Sequence, residues 1–92
     1  MSLEKEYCTM WGPPNRGRII YELRATEERI RRINLEIMDL KKRRAFIAGK
    51  FFFTDFDRQE IARIDARIAE LEYIREELSR RADYLRYLLS RY

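Results

Sequence analysis

The sequence contains no histidine and a single cysteine, Cys8, among its 92 residues. Histidine is the commonest general base and the commonest transition-metal ligand, and one thiol can form neither an intrachain disulfide nor a thiolate zinc site. Nucleotide-binding and redox motifs are missing too. We therefore expect no metal, no cofactor and no enzymatic activity, and we interpret Cys8 as an unreactive thiol.

Long uncharged segments and side-chain amides are also scarce. Residues 1–6 carry acids and no apolar core, and no stretch resembles a membrane-spanning helix, so we expect a cytoplasmic, intracellular protein with no membrane contact. One Gln and two Asn stand against sixteen Arg and four Lys. This charged, amide-poor, thermophilic composition is reported in some hyperthermophile families.

The few glycines and prolines divide the chain. Neither a helix nor a paired strand runs comfortably through Pro13 and Pro14, and the only other break in helical periodicity follows Ala48. The sequence therefore predicts an N-terminal arm at 1–15 and a helical hairpin at 16–92. Within the hairpin we predict helices at 16–48 and 55–91, joined by a turn at 49–54.

Both predicted helices carry a heptad seam, which indicates a long antiparallel, coiled-coil-like hairpin of the all-α class. The first seam runs through Ile19, Leu23, Thr26, Ile30, Ile33, Ile37, Leu40, Arg44 and Ile47. The second runs through Ile61, Ile64, Ile68, Leu71, Arg75, Leu78, Ala82, Leu85, Leu89 and Tyr92.

The two seams match best when facing residue numbers sum to about 104. This register gives each arginine in the seams an acidic partner, because Arg44 then faces Glu60 and Arg75 lies near Glu28. A paired charge inside a seam can fix the register of the two helices.

The turn has recognisable helix ends on both sides. Gly49 follows a cationic run, as expected at a helix C-terminus that tolerates a left-handed residue. Thr54 is the predicted N-cap of the second helix, and Asp57 completes a capping box three residues later.

Phenylalanines cluster at this turn. Five lie within eleven positions: Phe46, Phe51, Phe52, Phe53 and Phe56. Because loops are normally polar, we expect a partner surface on another subunit or on a different protein. The alternative is a local plug, in which Phe46, Phe53 and Phe56 close the end of the core.

Two antiparallel helices cannot enclose a core, so we expect a homodimer, with the two hairpins forming a four-helix bundle. Small residues at helical spacing allow close approach of another helix. The predicted dimer face runs beside the seam of the second helix and consists of Ala62, Ala66, Ala69 and Tyr73. Alanine is also a good surface helix former, which is the simpler interpretation. At the ends of the dimer, we expect Trp11 of one arm to contact Phe51, Phe52 and Phe53 of the other subunit.

The end of the hairpin that holds both termini is rich in arginine and tyrosine. Such a combination can bind phosphates and stack on bases, so nucleic-acid binding is the alternative function. The candidate contact residues are Arg16, Arg18, Arg80, Arg81, Tyr84, Tyr87 and Arg91. Acidic residues are interspersed among them, and no recognised nucleic-acid motif is present.

One segment resembles an enzyme family. Arg44 and the stretch 55–59, Asp-Phe-Asp-Arg-Gln, look like the all-helical chorismate mutases, in which equivalent residues help to bind a dicarboxylate substrate. The resemblance covers residues 30–60, with a shorter connecting loop than the family has and no clear equivalent of its loop lysine. The favoured interpretation is a non-enzymatic scaffold or adaptor that acts through self-association and protein–protein contacts, and chorismate-mutase-like activity is the least favoured alternative.

Overall fold

The computed structural model describes residues 15–91. Helix α1 is Arg16–Ala48 and helix α2 is Asp55–Ser90, and the two helices pack as an antiparallel hairpin. The predicted all-helical hairpin is confirmed. The predicted arm, with Cys8 and Trp11, lies outside the described residues except for Asn15.

Each helix begins at a side-chain cap. The Oδ1 atom of Asn15 accepts a hydrogen bond of 2.8 Å from the backbone N–H of Arg18, and it thereby satisfies one of the orphan donors at the start of α1. At the start of α2, Thr54 and Asp57 form the predicted capping box, in which each side chain accepts from the backbone N–H of the other residue.

The best-packed part of the core lies in the half of the hairpin nearer the turn. Its buried members are Ile37, Ile64, Ile68 and Leu71, with Ile33, Leu40 and Ile47 packed around them. In the other half, the buried residues are Ile19, Thr26, Ala82 and Leu85. All of these residues belong to the two predicted heptad seams. Branched aliphatic side chains at this spacing interlock between the two helices.

The C-terminus of α1 corrects one expectation. Gly49 has φ −89° and ψ 2°, so it does not adopt a left-handed conformation. Its N–H donates to the carbonyl of Ala45 at 3.0 Å, and a Cβ atom at this position would lie 3.3 Å from that same oxygen. Glycine therefore fits here because the backbone approaches closely.

The partners predicted for the seam arginines are wrong. Arg44 forms an ion pair of 2.7 Å with Asp65 instead of Glu60, and its side chain is 44% exposed. Arg75 donates to Oδ1 of Asn34 at 2.9 Å instead of binding Glu28. A guanidinium group on a long side chain leaves the apolar seam and reaches an oxygen about one helical turn away, because this arrangement avoids burying the charge.

Neither α1 nor α2, within the described part of the chain, has a segment apolar enough over a sufficient length to cross a bilayer.

Candidate interaction surfaces

The phenylalanine turn, which we define as Phe46, Phe51, Phe52, Phe53 and Phe56, is open to solvent. The exposed fractions are 76%, 92%, 79%, 41% and 67% in that order. The alternative of a local plug is therefore wrong, because Phe46, Phe53 and Phe56 do not close the core. Phe51 and Phe52 pack edge to face with their ring centroids 5.1 Å apart, so these two rings form one aromatic surface at the tip of the turn.

A buried carboxylate holds this turn in place. Asp57 is only 4% exposed, and it accepts hydrogen bonds from the backbone N–H of Thr54 at 3.0 Å and from Nζ of Lys50 at 3.0 Å. The Thr54 N–H bond, followed by the bond from Lys50, holds the pKa of Asp57 below its ordinary value. Both sides of the turn are thus tied to one side chain, and Phe51, Phe52 and Phe53 lie on the loop between them. No sequence motif indicates the role of Lys50, because only the folded turn brings its side chain to Asp57.

The predicted dimer face is exposed along its length. Ala62, Ala66 and Ala69 face solvent, and the ring of Tyr73 is 69% exposed. Residues two positions apart in an α-helix point in nearly opposite directions. Ala66 lies two positions from both Ile64 and Ile68, which are buried, so this face of α2 lies opposite the seam instead of beside it.

At the terminal end, three of the five candidate arginines already have acidic neighbours. Arg80 binds Glu76 and Glu77 within its own helix, each at 3.4 Å. Arg81 reaches across to Glu22 on α1 at 3.2 Å. A phosphate that approached this surface would compete with carboxylates for the same guanidinium groups.

The remaining candidates are distributed around the same end. Arg18 lies 3.7 Å from Glu22, and Arg16 is exposed in the first turn of α1. The guanidinium of Arg91 lies 5.7 Å from the ring centre of Tyr87 and donates to its hydroxyl at 3.2 Å. Tyr84 is 45% exposed. The structure thus brings tyrosines and arginines to one end, with carboxylates between them.

Two further cross-helix ion pairs, for which no prediction was made, follow the predicted register. Arg67 binds Glu36 at 3.0 Å and Arg81 binds Glu22, and in each pair the residue numbers sum to 103. The sequence pattern could have indicated both ion pairs, because each consists of opposite charges at positions beside the predicted seams. Arg86 instead binds Glu27 at 2.9 Å, about two and a half helical turns beyond the predicted register.

Residues that resemble the chorismate mutase site have structural roles here. Arg44 is paired with Asp65, and Asp57 is occupied by the capping box and Lys50. Among residues 15–91, no group of three or more Cys, Asp or Glu side chains is placed to hold a metal ion.

Comparisons with protein families, with curated proteins and with solved structures give no match for this chain.

Proposed function

We propose that this protein is a non-enzymatic helical scaffold that dimerises and presents its phenylalanine turn to another protein. The observation that carries the proposal is the exposure of five phenylalanines at the turn, three of them on the loop that Asp57 holds through Thr54 and Lys50. Monomeric soluble proteins rarely leave a contiguous apolar patch open, and such patches mark interaction sites. A rigid loop also loses little conformational entropy when it binds.

Charges around the turn favour one kind of partner. Lys41, Lys42 and Arg43 are exposed on the last turns of α1, and Arg58 is exposed at the start of α2. The complementary surface is an apolar groove with carboxylates on its rim, because opposite charges at a rim guide association and orientation. A second protein with such a groove is therefore the proposed occupant of the turn.

Dimerisation is the other half of the proposal. The hairpin measures 60 × 24 × 16 Å, which corresponds to two helices side by side in one layer. Each helix buries one stripe against the other, and seven apolar side chains are buried among residues 15–91. A second hairpin packed against the first would bury further apolar side chains that one layer leaves exposed.

Light scattering tests dimerisation directly. We expect a mass of about 23 kDa at micromolar concentration, which is twice the 11.4 kDa of one chain. A cooperatively melting species of 11.4 kDa under the same conditions would refute self-association.

The turn can be tested with a photo-crosslinking residue at Phe52 in the cell of origin. We expect one discrete adduct, and the identified protein, once purified, should bind the wild-type chain and lose affinity for the Phe51→Ser variant. The matched control places the crosslinker at Tyr21, an equally exposed aromatic residue outside the turn, with 75% exposure. Equal crosslinking at both positions, or unchanged affinity of the variant, would contradict the assignment of the turn.

Nucleic-acid binding stays a prediction with less support, because the arginines it needs lie against Glu22, Glu76 and Glu77.

A further inference from the structure

The exposed face of α2 is longer than the alanine stripe from which it was predicted. Continuing from Tyr73 at helical spacing, the same face carries Arg80, Tyr84, Tyr87 and Arg91, all of them exposed. From Ala62 to Arg91 the face advances 29 residues in eight steps, close to the 3.6 residues of one helical turn. It therefore stays on one side of α2, opposite the seam, for about 44 Å.

The two halves of this outer face differ in side-chain size. The first half carries the alanines at 62, 66 and 69, and the second half carries the tyrosines at 84 and 87. The positions on this face are arranged symmetrically about a point between Glu76 and Glu77. The intervals between successive positions are the same in both directions from that point. A face with this symmetry can pack against a second copy of itself with a two-fold axis at that point.

In that antiparallel arrangement, facing residues have numbers that sum to 153. Ala69 then faces Tyr84 of the second copy, and Ala66 faces Tyr87. Each large ring meets a small side chain, which is the complementarity that lets helices approach to about 8–10 Å. A parallel arrangement would instead put alanine on alanine and tyrosine on tyrosine, with gaps at one end and crowding at the other.

The same antiparallel pairing gives each arginine on the face a suitable environment. Tyr73 faces Arg80 of the second copy, which places a guanidinium over an aromatic ring. Arg91 faces Ala62, where its long side chain has room to lie along the helix.

At the axis, Glu76 lies close to Glu77 of the second copy, and Arg80 is paired with both of these carboxylates of its own helix. On either side of the axis, charge supports the antiparallel direction. Residues 62–76 carry four carboxylates and three arginines, whereas residues 77–91 carry four arginines and two carboxylates. The antiparallel pair sets the acidic half of one helix on the basic half of the other, and it also brings Glu70 near Arg81 of the second copy. Electrostatic complementarity of this kind selects orientation.

The area available is of the right order for a dimer. Tyr73, Tyr84 and Tyr87 are 69%, 45% and 55% exposed. Covering these three rings would remove about 350 Å² per subunit, on the basis of 150–250 Å² for a fully buried aromatic side chain. That is nearly half of the roughly 800 Å² per partner in a standard interface, before the alanines and arginine stems are counted.

We propose that the outer face of α2 is a self-complementary dimer interface, with two α2 helices packed antiparallel about an axis between Glu76 and Glu77. This inference rests on the proposed self-association and adds its geometry. It assigns Tyr84, Tyr87 and Arg91 to contacts between subunits instead of contacts with nucleic acid.

Cysteine crosslinking tests the register. In a Cys8→Ser background, one preparation carries Ala69→Cys and a second carries Tyr84→Cys. Mixed and oxidised under mild conditions, the two should form a disulfide-linked dimer, because the two thiols face each other. Each preparation alone should form none, since two copies of residue 69 lie about 22 Å apart along the pair, far beyond disulfide reach.

A control tests the neighbouring register. Mixing Ala62→Cys with Tyr84→Cys subunits probes a shift of one heptad, and we expect no crosslink. An efficient crosslink in this mixture, or in Ala69→Cys alone, would overturn the proposed register.

A surface substitution provides an independent measurement. Ala66→Glu should weaken dimerisation by about tenfold or more, because it places a charge and a longer side chain against the ring of Tyr87 of the partner. Leu35→Glu, on the exposed side of α1, is the matched control and should leave the dissociation constant unchanged; circular dichroism verifies that both variants remain helical. A wild-type dimer that shows neither the crosslink nor the Ala66→Glu effect refutes this interface and leaves the scaffold proposal standing, whereas a wild-type monomer refutes both.

Discussion

The half of the hairpin near the turn and the half near the termini are held together by different side chains. Near the turn, Ile37, Ile64, Ile68 and Leu71 form a contiguous apolar cluster. Near the termini, two of the four buried residues are small, since Thr26 and Ala82 take the place of branched aliphatic residues. Less apolar area is therefore buried per helical turn, and we expect the terminal half to open at a lower free energy than the turn half.

The two ends of the hairpin also differ in how many hydrogen bonds hold them, and again the turn end is held more firmly. At the turn, Asp57 joins Thr54 and Lys50 and keeps the loop closed. At the termini, Asn15 caps α1 through a single hydrogen bond to Arg18. The comparison indicates that the more firmly held end is the one with the exposed phenylalanines, which is the arrangement that a docking surface needs.

The largest expected effect comes from the core of the turn half. Leu71→Ala should lower the free energy of unfolding by about 2–5 kcal/mol, because it removes buried methyl groups and leaves a cavity. Chemical denaturation at fixed protein concentration measures this, since the stability of a dimer depends on concentration. Leu35→Ala is the control, because Leu35 is 62% exposed, and it should change stability by no more than about 0.5 kcal/mol. Equal losses for the two variants would remove the contrast between core and surface.

A loss of stability of intermediate size is expected when either helix loses its N-terminal capping side chain, and the pH dependence of stability should distinguish the two caps. Because the pKa of Asp57 is lowered in the folded protein, its stabilising contribution is fully present above the unfolded pKa of about 4 and is lost as pH falls through the folded pKa. Asp57→Asn should therefore lower stability at neutral pH and reduce the loss of stability on acidification. Asn15 does not titrate, so Asn15→Ala should shift the stability curve without changing its shape below pH 4. Parallel curves for Asp57→Asn and the wild type would show that Asp57 is not the titrating group.

The smallest effect is expected from the ion pairs of the terminal half. Arg86 binds Glu27 across the helices, with side-chain exposures of 52% and 37%. A double-mutant cycle with Arg86→Ala and Glu27→Ala should give a coupling of about 0.2–1 kcal/mol, as for other partly exposed pairs. The coupling should fall in 1 M salt, where the Debye length is about 3 Å. A coupling of several kcal/mol, like the ~2–5 kcal/mol expected for Leu71→Ala, would show that the terminal half depends on its charges as much as the turn half depends on its core. A coupling that salt does not change would show that the contact is not mainly electrostatic.

Much of the fold could be predicted from the sequence because its signals are local. The 4–3 spacing of apolar residues, the Asn15 and Thr54 caps and the break at Gly49 each act within a few residues of the chain. The candidate surfaces could be predicted only in part. The sequence located the phenylalanines at the turn. Their exposure depends on whether the loop folds back onto the core, which cannot be predicted from the spacing of residues.

The sequence by itself determined that two long amphipathic helices meet at one turn, since periodicity and capping are written residue by residue. Tertiary structure decided which residue each seam arginine contacts: Arg44 binds Asp65, and Arg75 binds Asn34. Apolar side chains in a seam are confined by their neighbours, so their partners follow from register. A long arginine side chain can reach acceptors on several turns of the opposite helix, and only the azimuth and distance of the two packed helices select among them.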